Sequence, residues 1–424
     1  MKQITEPARQ IDVIHETEVL VVGSGPGGLA AALGAARAGV AVTLVERFGC
    51  FGGNITAVGV EGFAWYRHEK TVDTEGVGRE FEARLVEEAG ITPMLHRQFV
   101  APIMEGATIR GIITESKAGR EAILAKRVID ATGDADVAHR AGAPTHKAAR
   151  EDLMAASVMF SMSGVDRAKF LEEIHANPLT YRDWDSGEWT VETTGKEDRM
   201  FSPFLKKPFQ LAIQEGLIPQ NLSTIAGTWG AIYDTGDLTY LNLVHLDGCD
   251  GTDPDDLTRF EIEGRRQAML AVEAMRRHHP GCETAKLRNF GMTLGVRDTR
   301  KIDARYNMTE MDVRDQGRFE DSVGIFPEFI DGYGLLILPT TGRYFQVPWR
   351  TIVPKQVSNL LVAGRATGGD RISHAATRNM MCCTVTGQAA GVGAALSVKQ
   401  GRAMEDMCPL NLLSVLIYGK EGTP

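Results

Sequence analysis

A glycine-rich turn between two short apolar runs constrains this chain more than any other feature. Leu20-Val21-Val22 leads into Gly23-Ser24-Gly25-Pro26-Gly27-Gly28, an alanine-rich run covers Leu29–Ala38, and the apolar run Val40–Val45 ends in Glu46. This order predicts strand, glycine turn, helix and strand, the opening of a dinucleotide-binding βαβ unit. Gly23 permits the tight turn, Gly25 removes the side chain where backbone must approach a pyrophosphate, and Gly28 lets the helix pack closely on the strands. The N–H groups at the helix N-terminus suit an anion. Glu46, about twenty residues on, is placed to accept hydrogen bonds from a ribose diol.

A lone glycine turn is weak, but related strands follow it. Val128-Ile129-Asp130 ends in Ala131-Thr132-Gly133, which returns backbone close to the nucleotide. Asn359–Val362 ends in Ala363-Gly364-Arg365, followed by Gly369-Asp370, the segment Ser373–Met381 and a small-residue helix, Gly387–Leu396. From Ile91 to Ala125, short apolar runs broken by turns predict a small antiparallel meander. From about Ala168 to Leu336 the composition shifts to aromatics and long polar loops, with strand-like alternation over Gly227–Leu246 and a helix begun by Asp253-Pro254. With 424 residues, 43% of them hydrophobic, the chain can bury a large core and is expected to make two domains. The expected fold class is α/β: a discontinuous Rossmann-like domain (15–160 and 337–410) with an inserted α+β substrate or cap domain (161–336).

The net charge of −9, with Lys and Arg scattered, argues against nucleic acid or an anionic membrane as the main partner. Met1–Ile14 has no long apolar segment, and no run approaches the roughly eighteen apolar residues of a membrane span. None of the six cysteines sits in a C-x-x-C pair, so iron–sulfur clusters and structural zinc are not expected, and no metal site is assigned. The vicinal Cys382-Cys383 reads either as a redox pair or as two small helix-packing residues. These features predict a soluble cytoplasmic protein and leave self-association open.

The blocks together resemble FAD-dependent oxidoreductases related to the glutathione-reductase-type, two-dinucleotide-binding flavoproteins. The matching residues are the glycine motif with Glu46 and Gly52-Gly53, Val128–Asp136, Gly295–Arg300 and Asn359–Gly391, covering most of the chain. The resemblance implies FAD as the cofactor and a substrate cavity between the two domains. It further implies that Gly23, Gly25, Pro26, Gly28, Glu46, Arg47, Gly52, Gly53 and Asn54 lie along the nucleotide, with backbone near Phe99 at the adenine and Thr132-Gly133 beside it. Gly364, Asp370, Asn379, Met380 and Met381 are then expected at the flavin end, Asp370 on the ribitol and the helix N-terminus on the negative charge that builds at the N1/O2 edge. The loop Gly368-Gly369-Asp370-Arg371 is richer than the family pattern.

The implied function is hydride transfer between a small organic substrate and flavin N5, with an external electron acceptor or donor. An oxygen-using oxidase, a non-redox flavin isomerase and a flavin-binding subunit are the rival readings. Only one strand–glycine–helix unit is present, so NADH and NADPH are expected to be poor direct reductants. His374 and Arg378, four apart on a predicted helix, are the first catalytic candidates: the imidazole to move a proton near neutral pH, the guanidinium to clamp a carboxylate or offset flavin charge. The alternative reading is a capping histidine and an arginine paired to a cap-domain acid. Tyr66 and His68, in the aromatic and basic cluster Trp65–His68, either line the substrate cavity or form a surface turn, and His245 is a further candidate. The run Gly295–Lys301 reads as a salt-bridged hinge or as substrate binding.

Overall fold

The computed structural model describes residues 2–60, 86–87, 89–177, 190–192, 204–338 and 343–407. The expected helix over 76–90 lies almost wholly outside them, as do Tyr66 and His68.

β1 (Val13–Val22) buries Val19–Val22 completely or nearly so and runs through the glycine turn into α1 (Pro26–Arg37) and back into β2 (Val42–Val45). Pro26 opens α1, where its missing N–H has no intrahelical partner to lose. β2 pairs parallel with β1 and with β3 (Thr92–Met94). β4 (Gln98–Glu105), β5 (Thr108–Ser116) and β6 (Gly119–Asp130) form the expected antiparallel meander, and α2 (Asp136–Arg140) follows. β6 serves two sheets' worth of pairing at once. Its first half bonds antiparallel to β5, Ala122–Asp130 runs parallel to β1, and its last three residues pair parallel with a strand from the far end of the chain.

The second core is built on β7 (Phe160–Ser163), which lies antiparallel between β8 (Leu238–Leu241) and β9 (Lys286–Phe290). α3 (Pro254–His278) covers it with Ala268, Ala271, Val272 and Met275. Asp253 caps α3 by accepting from Asp255 N at 3.0 Å, and Arg276, Arg277 and His278 close it, charges that suit the helix dipole at both ends. This core draws on residues 156–294, a shorter stretch than the expected insertion of 161–336. Ile302, Ala304, Met308, Phe326, Ile330 and Leu336 instead join the cores of the first domain. Among them, β10 (Ile330–Gly332) pairs antiparallel with 335–337.

β11 (Leu360–Val362) is the late strand that adds beside β6, in register Leu360–Val128, Leu361–Ile129 and Val362–Asp130. α4 (Arg371–Thr377) and α5 (Met380–Gln400) complete the chain's return. By length and composition α5 could cross a membrane, contrary to the sequence reading that no run approaches such a span. Its glycines and alanines bury it on nearly every side, the signature of a core helix. A Cβ on Gly387 would stand 2.1 Å from Gly27 O, and one on Gly391 2.0 Å from Ala31 O, so α1 and α5 touch backbone to backbone. Cys382 and Cys383 are part of this packing; burial pushes the Cys383 thiol up to about 12, which leaves it inert.

Candidate active site

Four loops converge at the carboxyl ends of β1, β2, β6 and β11. Gly23 takes φ +96°, and a Cβ there would meet Ala131 O at 2.4 Å; a Cβ on Gly28 would meet Gly23 O at 1.9 Å. Turn, strand end and helix are therefore in contact, and no other residue fits. Gly25 is different: a Cβ there has nothing within 4 Å, and the same holds for Gly364. These two positions offer bare backbone to open space. Gly52 N donates to Ser24 O at 2.9 Å and Gly53 backs onto Gly25, so the loop Arg47–Asn54 lies along the turn.

Glu46, buried at the end of β2, accepts from Ser24 N at 2.9 Å and Ser24 Oγ at 2.6 Å on one oxygen, and from Phe48 N at 2.9 Å on the other. The second oxygen, which accepts only from Phe48 N, keeps a further lone pair for an outside donor. Arg47 is exposed, with its guanidinium 4.6 Å over the Phe48 ring. The backbone of 96–97 bonds to 46–48, which brings the start of β4 and Phe99 beside Glu46, while the Phe99 side chain is buried in the core.

Thr132 folds back on Asp130, its N and Oγ1 both donating to Asp130 Oδ1 at 3.0 and 2.7 Å. Beyond Gly133, Asp134 Oδ1 accepts from Arg365 Nη2 and Thr299 Oγ1, both at 2.7 Å. This knot ties the β6 and β11 loop ends to the strap 295–301. Neither Asp134 nor Arg365 was singled out in the sequence, although each directly follows the glycine that ends its strand. Burial and the nearby Asp134 and Asp130 push Asp136 up to about 6.

The junction of α4 and α5 gives the expected site residues protein partners. Asp370 caps α4: one oxygen accepts from Ser373 N and the other from Glu310 N, both at 2.8 Å, and the residue is exposed. Its carboxylate caps two helix starts and, being exposed with one bond on each oxygen, keeps acceptor capacity. His374 is 1% exposed, and burial with the nearby Lys301 charge pushes it down to about 3. It is therefore held neutral at physiological pH. The ring Nε2 lies 3.1 Å from Arg297 O, so Nε2 carries the hydrogen and His374 holds the strap. Arg378 follows one turn later and donates through Nη2 to Asp331 Oδ2 at 3.1 Å and to Asp331 O, the pairing with an acid of segment 161–336 that the sequence left open. Asn379 turns its amide back to Ala375 O and Ala376 O at 3.1 and 2.8 Å and makes no side-chain cap, so the first N–H groups of α5, at Met380 and Met381, have no side-chain partner.

Under this junction lies a buried polar network. Asp298, 0% exposed, accepts from Lys301 Nζ and from Tyr333 OH at 2.6 Å. His374 Nε2 sits 3.7 Å from the same carboxylate. The His374 ring, Lys301 and the Tyr333 hydroxyl, in that order, hold Asp298 below the usual carboxylate range despite its burial. Arg297, next in the chain, sends Nη2 to Ser157 Oγ at 2.7 Å and Asn242 Oδ1 at 3.2 Å.

A family model described as FAD dependent oxidoreductase matches residues 18–87 and 68–415. The chain belongs to the FAD dependent oxidoreductase family. Among solved structures, this family member is similar to a geranylgeranyl bacteriochlorophyll reductase-like protein from Thermoplasma acidophilum (TM-score 0.51, 14% identity, 95% of this chain and 83% of that one). It also matches p-nitrophenol 4-monooxygenase from Pseudomonas putida (TM-score 0.46, 13% identity, 97% and 91%) and a myxobacterial chondrochloren halogenase (TM-score 0.46, 11% identity, 94% and 78%). The first of these likenesses shows the α/β fold. Comparison with curated proteins finds no match.

The residues of this oxidoreductase suit FAD. The bare backbone at Gly25 and Gly364, Glu46 with acceptor capacity beside the turn, and the uncapped N-terminus of α5 are what a pyrophosphate, a ribose and an electron-rich ring edge respectively require. α5 reaches the turn directly: Gly364 N donates to Thr386 Oγ1 at 3.0 Å, and Gly387 packs on Gly27. Replacing Glu46 by Ala removes the diol acceptor and strands Ser24 N. FAD affinity is expected to fall about tenfold to a hundredfold, because hydrogen bonds to a charged group are worth about 1.5–3 kcal/mol. Flavin content after dialysis reads this out, and a variant that retains FAD as the wild type does would remove Glu46 from the site.

Proposed function

We propose that this oxidoreductase transfers a hydride between a small organic substrate and N5 of FAD, with a separate acceptor or donor completing the cycle. The observation that carries the reading is the α4–α5 junction. The same few residues touch the nucleotide turn through Gly387 and Thr386, and touch polar groups from outside the nucleotide loops through His374–Arg297 and Arg378–Asp331. Bound FAD supplies a two-electron acceptor and donor. The chain positions the substrate: His374 fixes the Arg297 backbone, Asp331 aims Arg378, and the α5 N-terminus offers unpaired N–H groups to developing negative charge. A neutral His374 leaves the proton released from a C–OH or C–NH centre to another base, and His68 with Tyr66 are the candidates in the chain.

Anaerobic mixing of the yellow protein with candidate organic substrates should bleach the flavin, whereas NADH and NADPH should reduce it far below turnover rates. Stopped-flow absorbance separates the two. Reduction by NAD(P)H at catalytic rates would overturn the assignment of the organic molecule as reductant, and turnover with no flavin bleaching would favour the non-redox reading.

A further inference from the structure

Arg297 and Arg378 converge on one place with too little negative charge to match them. His374 Nε2 bonds the carbonyl of Arg297, and Arg378 N donates to His374 O at 3.0 Å, so the two arginines flank one helical turn. Arg378 is 12% exposed at its side chain, its Nε is buried without a partner, and its one carboxylate is Asp331, itself 40% exposed. Arg297 is half-buried and bonds the neutral oxygens of Ser157 and Asn242; among the described residues it makes no ion pair, and the carboxylate charge that reaches it is that of Asp331, already bonded to Arg378. The nearest acid in sequence, Asp298, is held by Lys301 and Tyr333. His245, across the same space, is held neutral by burial and by Arg297, pushed down to about 4, so it adds no charge near neutral pH. Burial and the neighbouring Arg378 also lower the Arg297 guanidinium. A guanidinium partly withdrawn from water beside a second one calls for an anion.

We propose that Arg297 and Arg378 form a carboxylate-binding site over the α4–α5 junction, so that the substrate of this enzyme is a small organic anion. The planar forks of two guanidinium groups suit a carboxylate in a bidentate grip. Ser157 and Asn242 hold Arg297 by weak neutral acceptors, which leaves the charge for the ligand. Asp331 competes for Arg378 from the exposed side and yields as the anion binds. This proposal rests on the substrate-positioning role given to the junction above.

The test uses the FAD-bound protein and three matched pairs: formate and formamide, acetate and acetamide, benzoate and benzamide. Binding is followed by calorimetry and by perturbation of the flavin absorbance, without turnover. At least one carboxylate should bind about tenfold tighter than its amide, with affinity falling as salt rises. Arg297→Gln should weaken that binding about tenfold or more, Arg297→Lys less, and Asp331→Asn should tighten it severalfold by removing the competing carboxylate. The Asp331 result distinguishes recognition from a merely structural arginine pair. Equal binding of acids and amides, or unchanged carboxylate affinity in Arg297→Gln, would overturn the proposal. So would lost FAD occupancy in Arg297→Gln with normal benzoate affinity in the remaining holoprotein, which would assign Arg297 to the cofactor. Carboxylate binding without bleaching by any organic substrate would sink the hydride reading alone; bleaching by neutral substrates with no carboxylate binding would sink the anion site alone.

Discussion

Alanine at Gly387 or Gly391 will unfold the nucleotide domain or strip it of FAD, a larger loss than any surface change can cause. At both positions the added methyl would fall about 2 Å from a carbonyl oxygen of α1, at 2.1 Å from Gly27 O and 2.0 Å from Ala31 O. Neither side of the contact is a side chain that can rotate away. The helices must separate, and separation pulls Gly27 from Gly364 and moves the α5 N-terminus off the strand ends. Overpacking in a core costs about 1–3 kcal/mol where side chains can adjust, so about 3 kcal/mol or more is expected here for each glycine. Thermal unfolding and FAD release in gel filtration measure the effect. Gln388→Ala, on the exposed side of the same helix, should change neither. If Gly387→Ala and Gly391→Ala match that control, the backbone contact between the helices is not there.

The second large effect is expected at the buried network. Asp298→Ala leaves Lys301, 3% exposed, as a buried ammonium with only Thr299 O, at 3.2 Å, as acceptor. Removing one partner of such a pair costs about 3–5 kcal/mol, whereas Asp298→Asn combined with Lys301→Met should recover part of the loss. The same network predicts a pH dependence. His374 has an ordinary pKa of 6.5 unfolded and about 3 in the fold, so between these values the unfolded chain binds one more proton. Its contribution therefore raises stability with rising pH, by about 1.4 kcal/mol per unit through that window, and is constant above it. Asp298, lowered in the fold, acts in the same direction at lower pH. Asp136, raised to about 6 from 3.8, acts in the opposite one, so the informative quantity is the difference between wild type and His374→Asn. Unfolding midpoints from pH 7.5 down to 4.5 should show the variant losing less stability than the wild type. Parallel curves would mean that His374 is not held neutral.

The nucleotide half of this enzyme was legible because its requirements are backbone requirements. A glycine at Gly23 or Gly28 is dictated by a strand or carbonyl that leaves no room, and such demands show as fixed residues at fixed spacing. The return of β11 beside β6 was readable for the same reason, from an apolar strand ending in glycine. What the spacing could not resolve is which partner a polar side chain chooses. Asp370 follows a glycine near a helix start and reads as a ligand for ribitol; that it also caps a helix through Ser373, three residues on, needed the structure to show. His374 and Arg378 share a face as their spacing requires, yet only packing reveals that the first is sealed from water and the second bonded to Asp331. In the strap, both readings of Gly295–Lys301 have a place: Asp298 and Lys301 bond each other, while Arg297 is left over.

The contact between α1 and α5 also bears on how the protein is made. About 350 residues of chain separate 23–28 from Met380–Gln400; at roughly 5–20 residues synthesised per second the interval between them is tens of seconds. Through that interval Gly27, Ala31 and Gly34 have no helix to meet, and β6 lacks the strand that pairs with Val128–Asp130. Closing this loop requires the whole intervening chain to be in place, a topology that folds slowly and leaves a sticky surface exposed meanwhile. The α1 face that packs on Met380–Gln400 is therefore unpartnered until that helix has been synthesised, and the wait falls on an apolar surface that a chaperone is suited to shield.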